Sequence, residues 1–72
     1  MKDTPEAFEH LDHPLLRRRV RDPGSLREGE LMAVVREPLG SVGGVARYAC
    51  TAYVRDAAGL EFTAAPGTLE GL

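Results

Sequence analysis

The stretch Val45-Ala46-Arg47-Tyr48-Ala49-Cys50-Thr51-Ala52-Tyr53-Val54-Arg55, followed after a short reversal by Leu60-Glu61-Phe62-Thr63, decides the fold. Successive side chains of an extended chain point to opposite faces, so a half-buried strand shows a period of two. Here Tyr48, Cys50, Ala52 and Val54 fall on one face, and Ala49, Thr51, Tyr53 and Arg55 on the other. Leu60 and Phe62 oppose Glu61 and Thr63 in the same manner. β-Branched and aromatic content beside the Gly43-Gly44 break favours strand over helix. Asp56-Ala57-Ala58-Gly59 makes the reversal between the two runs, which are therefore expected to pair as a hairpin.

Similar punctuation divides the chain from Leu15 onward into five short runs, these two included: about Leu16 to Arg21, Glu30 to Glu37, Val45 to Arg55, Leu60 to Ala65 and Thr68 to Glu70. Asp22-Pro23-Gly24-Ser25 suits a type II turn, with proline second and glycine third. Gly40 and Gly43-Gly44 read as a flexible connection, and Pro66-Gly67 as a further turn. Leu31-Met32-Ala33-Val34-Val35 is apolar on both faces, which predicts a central strand covered from both sides. Ahead of these runs, Thr4-Pro5-Glu6 has a capping hydroxyl, a proline at the first helical position and an acid in the first turn. A short helix over residues 5 to 12 is expected, ended by Pro14, with Phe8 and Leu11 laid against Met32 and Val34. The chain thus reads as an acidic segment, 1–14, and a small β domain, 15–72.

Seventy-two residues give one domain with a thin core. An apolar content of 43% and a charged content of 28% keep the chain out of the disordered class. The single cysteine, Cys50, excludes a disulfide framework within the chain and favours a reducing, cytoplasmic setting. No run is long and apolar enough to span a bilayer, and the acidic opening residues are unlike a secretory leader. A soluble, unprocessed chain is expected.

Val20-Arg21-Asp22, Gly29-Glu30-Leu31-Met32-Ala33-Val34-Val35, Ala52-Tyr53-Val54-Arg55 and Leu60-Glu61-Phe62-Thr63-Ala64 carry a resemblance. Five short strands, a longer connection after the first, a tight hairpin between the third and fourth, and a Pro-Gly turn before a short last strand follow one another. This order resembles the small SH3-like barrels of bacteria, including those of KOW and Tudor type. The resemblance implies a five-stranded barrel, with a strongly bent antiparallel sheet as its competitor. It also implies a module that binds proteins, peptides or nucleic acid and is seldom catalytic. The chain departs from the better-known members in lacking an aromatic cage or an aromatic ligand groove, so methylated and proline-rich ligands are not expected.

Arg17, Arg18, Arg19 and Arg21 concentrate basic charge in one run, although the chain as a whole has a net charge of −2. In a strand, Arg17, Arg19 and Arg21 share a face and Arg18 opposes them. Such a stripe either tracks a phosphate backbone or keeps an edge strand from aggregating. Tyr48 and Tyr53 lie on opposite faces of one strand, so one is expected in the core and the other at the surface. Tyr53 beside Arg55 fits a binding patch, since tyrosine and arginine anchor interfaces. His10 and His13, near Glu6, Glu9 and Asp12, lack the defined ligand set that a metal site needs. Cys50 has no base at hand and reads as a small buried hydrophobe. The glycines of 40–44 lack the Gly-Lys-Ser/Thr ending and following helix of a phosphate-binding loop.

The sequence therefore predicts no catalytic residue, cofactor or metal. Its leading reading is a non-catalytic adaptor or regulator that binds another protein through Arg17, Arg19, Arg21, Tyr53 and Arg55. The alternative is a weak nucleic-acid binder using the arginine run, and edge pairing into a homodimer stays open.

Overall fold

The computed structural model describes residues 9–72, and these form a mainly β structure with no α-helix. In chain order the strands are β1 (Glu9–His10), β2 (Arg19–Asp22), β3 (Arg27–Val42), β4 (Val45–Arg55), β5 (Glu61–Ala64) and β6 (Glu70–Gly71). A 3-10 turn, Pro66–Thr68, precedes β6. All pairings are antiparallel, in the order β5-β4-β3-β2-β6, with β1 also on β3. The sheet is open, because β5 and β6 end it on opposite sides. Of the two expected architectures it is the open sheet, and closure into a barrel is not seen.

β4 has the bounds its alternation predicts, and it pairs with both β3 and β5. β3 is much longer than expected, since it runs through Pro38 and Gly40. Gly43 and Gly44 have φ of 58° and 81°, the pair of positive angles that a type I′ hairpin turn requires. The expected flexible connection is thus the tip of a regular ribbon. Two register shifts, between Leu31 and Ala33 and between Pro38 and Gly40, absorb one extra residue each on β3.

The inner face carries the core: Val20, Leu31, Val34, Ala52, Val54 and Phe62, with Leu11, Leu15, Ala64 and Leu69 packed at its margin. The bulge at Met32 lets Leu31 and Val34 both face inward although they are three apart. Of the glycines, Gly29 has the least room for a side chain. A Cβ there would lie 2.3 Å from the Arg55 carbonyl oxygen and 2.9 Å from Val54 Cγ1, so only glycine lets β3 pass so near β4.

The expected helix is corrected where it can be seen. Residues 5 to 8 of it lie outside the described residues, whereas Glu9 and His10 are extended and pair with Arg36 and Val35. Leu11 N–H then donates to the Val34 carbonyl at 2.8 Å. Leu11 does reach the core beside Val34, but from a strand-like segment. The physical reason is that β3 offers unpaired backbone groups along this edge, and pairing them outweighs a local preference for two turns of helix. The 22–25 turn is also corrected: the positive φ falls on Leu26 (62°) instead of Gly24. A Leu26 N–H bond to the Asp22 carbonyl (2.7 Å) and a Ser25 hydroxyl bond to Asp22 Oδ2 (2.8 Å) hold this wider loop.

Candidate protein-binding face

Cross-strand partners in an antiparallel sheet share a face, so the register assigns the outer surface row by row. One row reads Arg19, Glu30, Arg55, Glu61 across β2 to β5. Its neighbour reads Glu70, Arg21, Glu28 across β6, β2 and β3. On the other side of the first row lie Ala33, Tyr53 and Thr63. The sheet therefore brings Arg19, Arg21, Arg55 and Tyr53 onto one face, with glutamates interleaved among them.

Arg17 is not part of β2. It precedes the strand with φ of 67°, and its N–H donates to the Leu31 carbonyl at 2.8 Å. The expected strand from Leu16 thus starts only at Arg19. Arg17 still meets this surface through its side chain, with Nε 3.3 Å from Glu30 Oε2. Arg19 reaches Glu28 at 3.6 Å, and Arg21 reaches Glu28 at 3.8 Å and Glu70 at 3.3 Å. These are exposed pairs worth little to stability, but they set the sign pattern of the face. Each arginine of the expected stripe has a carboxylate beside it, so the face alternates in sign.

Tyr53 is half-buried, and its hydroxyl donates to Glu37 Oε2 at 2.9 Å. That bond, with burial and the charges of Glu37 and Glu61, holds the phenol above its ordinary pKa. Tyr48 lies on the other face, half exposed beyond the end of the core, with the Arg36 guanidinium 4.1 Å above its ring centroid. Neither tyrosine is a core residue. Cys50 is corrected too: it shares the inner face with Ala52 and Val54 but is exposed, because the core stops at Ala52.

His13 has a structural part that sequence reasoning missed. Its Nδ1 accepts the Leu15 N–H at 3.1 Å, and its Nε2 donates to the Pro66 carbonyl at 3.0 Å. The ring ties the 12–16 loop to the 3-10 turn. At the opposite hairpin, Asp56 Oδ1 accepts the Leu60 and Ala58 N–H groups, and Oδ2 lies 3.3 Å from Arg27 Nη2. The Leu60 bond foremost, then those from Ala58 and Arg27, hold this carboxyl below its usual value. Among the described residues no cluster of metal-ligating side chains forms, and no helix is long and apolar enough to cross a membrane.

No family model, no curated protein and no solved structure matches the chain.

Proposed function

We propose that the protein is a non-catalytic binding module, an adaptor or regulator that engages another protein through its outer sheet face. The observation that carries this reading is the row pattern: basic and acidic side chains alternate across β2 to β6 beside the half-buried Tyr53. A surface of mixed sign with a rigid aromatic at its margin complements the mixed charge of a protein partner. A phosphate backbone is of one sign, and to reach Arg17, Arg19 and Arg21 it must displace Glu28, Glu30 and Glu70. The nucleic-acid reading therefore has less support.

In architecture we read the domain as an opened relative of the SH3-like barrels. Supporting this, β2 to β5 form a meander, and the chain returns through a 3-10 turn to lay β6 on β2. An exposed, unbridged Cys50 accords with a reducing, cytoplasmic setting.

The test is capture of partners from native lysate at near-physiological salt, with and without nuclease, using the wild type, Tyr53→Ala, and Arg17→Ala with Arg19→Ala. A protein partner that survives nuclease and binds Tyr53→Ala about tenfold or more weakly supports the proposal. Recovery of nucleic acid, with loss confined to the double arginine variant, refutes it.

A further inference from the structure

The β3–β4 ribbon continues beyond the core as an arm, from Glu37 to Cys50. It makes the molecule long, with extents of 40 × 27 × 21 Å. Its Cα radius of gyration is 14.0 Å, where a compact chain of this size has about 11 Å. The arm leaves Leu39, Val42, Val45 and Tyr48 between 50% and 64% exposed. β5 pairs with β4 only from Ala52 onward, so among the described residues no strand lies along the outer edge of β4 from Val45 to Thr51. That edge contains no proline, and its one charged side chain is Arg47, so little along it keeps it from pairing.

The tip fixes which backbone groups face outward. Val42 and Val45 flank the type I′ turn and bond to each other, so outward-facing groups alternate along β4 at Ala46, Tyr48 and Cys50. We propose that two copies of this chain join through this edge, β4 antiparallel to β4 of the second copy, about a two-fold axis at Tyr48. The inference goes beyond the adaptor reading and uses the edge of the arm, which meets the binding face at Glu37, the acceptor of the Tyr53 hydroxyl.

Three features favour a second copy as the occupant. Centring on Tyr48 is the register in which all three outward residues find outward partners, Tyr48 with Tyr48 and Ala46 with Cys50. This gives about six backbone hydrogen bonds. It also sets Arg47 opposite Ala49, whereas a shift that centres on Arg47 would bring two arginines face to face. Finally, Ala49 lies beside Glu37 in its own ribbon, so one lateral row reads Arg47, Ala49 of the second copy, Glu37 of the second copy. Their backbones are about 10 Å apart with only a methyl group between. Arg47 and Glu37 can close over that methyl, and two-fold symmetry supplies the pair twice. A carboxylate that already accepts the Tyr53 hydroxyl retains acceptor capacity for this. Tyr48 stacks across the axis on the opposite face.

The full chain is examined by sedimentation equilibrium, and Ala46→Cys is oxidised mildly in parallel. Position 46 and Cys50 of the second copy are paired, with Cα atoms about 5.5 Å apart, within reach of a disulfide. Within one chain they lie about 13 Å apart and cannot be bridged. The wild type, with Cys50 alone, and Ala46→Cys with Cys50→Ser have their thiols equally far apart in the dimer. The expected result is twice the chain mass, with covalent dimer formed by Ala46→Cys at least tenfold faster than by either control. Tyr48→Lys, which sets like charges at the axis, is expected to sediment as a monomer with an unchanged far-ultraviolet spectrum. A monomeric wild type at several hundred micromolar refutes the pairing, as does a dimer in which Ala46→Cys crosslinks no faster than the controls. Neither outcome depends on capture of another protein, so the proposal stands or falls apart from the adaptor reading.

Discussion

Gly29→Ala tests the tightest of the glycine positions in the sheet. A methyl group there would sit 2.3 Å from the Arg55 oxygen and 2.7 Å from the Arg55 carbonyl carbon, where ordinary contact begins at 3.4 Å. The oxygen must retreat by about 1 Å. It has little freedom to do so, because Arg55 is paired with Glu30 on one side and Glu61 on the other. Separating β3 from β4 at this point also opens the packing around Val54, which is fully buried. Overpacking of this kind costs about 1–3 kcal/mol, and an immovable backbone neighbour puts Gly29 at the upper end. Alanine restores about 0.4–1 kcal/mol by restricting the unfolded chain. The net loss is about 2–3 kcal/mol, out of a total of roughly 4–11 kcal/mol for a chain of this length. For a domain this small that lowers Tm by about 8–24 °C. Thermal unfolding followed by circular dichroism at one fixed protein concentration measures it, with Gly67→Ala as control. Nothing lies within 4 Å of a Cβ at Gly67, and its φ is not positive. The control is expected within a few degrees of wild type. A Gly29→Ala protein that melts within about 4 °C of wild type would show that β3 does not approach β4 in this way.

His13→Ala removes the bond that ties the 12–16 loop to the 3-10 turn, leaving the Pro66 carbonyl without that donor, and with it the Leu15 N–H bond inside the loop. A loss of about 1–2 kcal/mol is expected in urea unfolding, and an unchanged midpoint would refute the linking role. Asp56, with its pKa lowered by the bonds within its turn, contributes stability that is present above its unfolded pKa and lost as pH falls through the folded one. Tyr53 has the opposite sign: its raised pKa makes a contribution present at neutral pH and lost as pH rises through the folded value. Asp56→Asn should flatten the acid side of the stability profile and Tyr53→Phe the alkaline side. Profiles that superpose on wild type would refute these assignments.

The strands legible in the sequence are those whose side chains see two different environments. In β4, Ala52 and Val54 point to the core and Tyr53 and Arg55 to the outer face, so composition alternates and the bounds follow. The outer half of β3 sees solvent on both faces, and its sequence from Glu37 to Val42 has no period to read. Pro38 then looks like a break. It is tolerated because its partner Tyr48 points its backbone groups away from β3, so no bond across the pair calls for the missing N–H. The helix expected over 5 to 12 rests on strong local signals at Thr4-Pro5, but the state of Glu9 and His10 is set by an unfilled edge of β3, distant in sequence.

Site residues follow the same division. A period of two sets Tyr53 with Arg55 and Arg19 with Arg21, whereas the sharing of one face by the two pairs, and the glutamates between them from β3 and β6, depend on register. Register, together with the reach of Arg17 to Glu30, is what turns Arg17, Arg19 and Arg21 from a basic stripe into one half of a surface of mixed sign. It also accounts for the arm: Cys50 and Tyr48 continue the inward-facing series of Val54 and Ala52, yet the layer opposite them has ended. Residues with the pattern of a core but no core to enter gain most by meeting another surface. On β4 they stand beside an edge along which no strand of the described residues lies, so burial and backbone pairing favour the same contact.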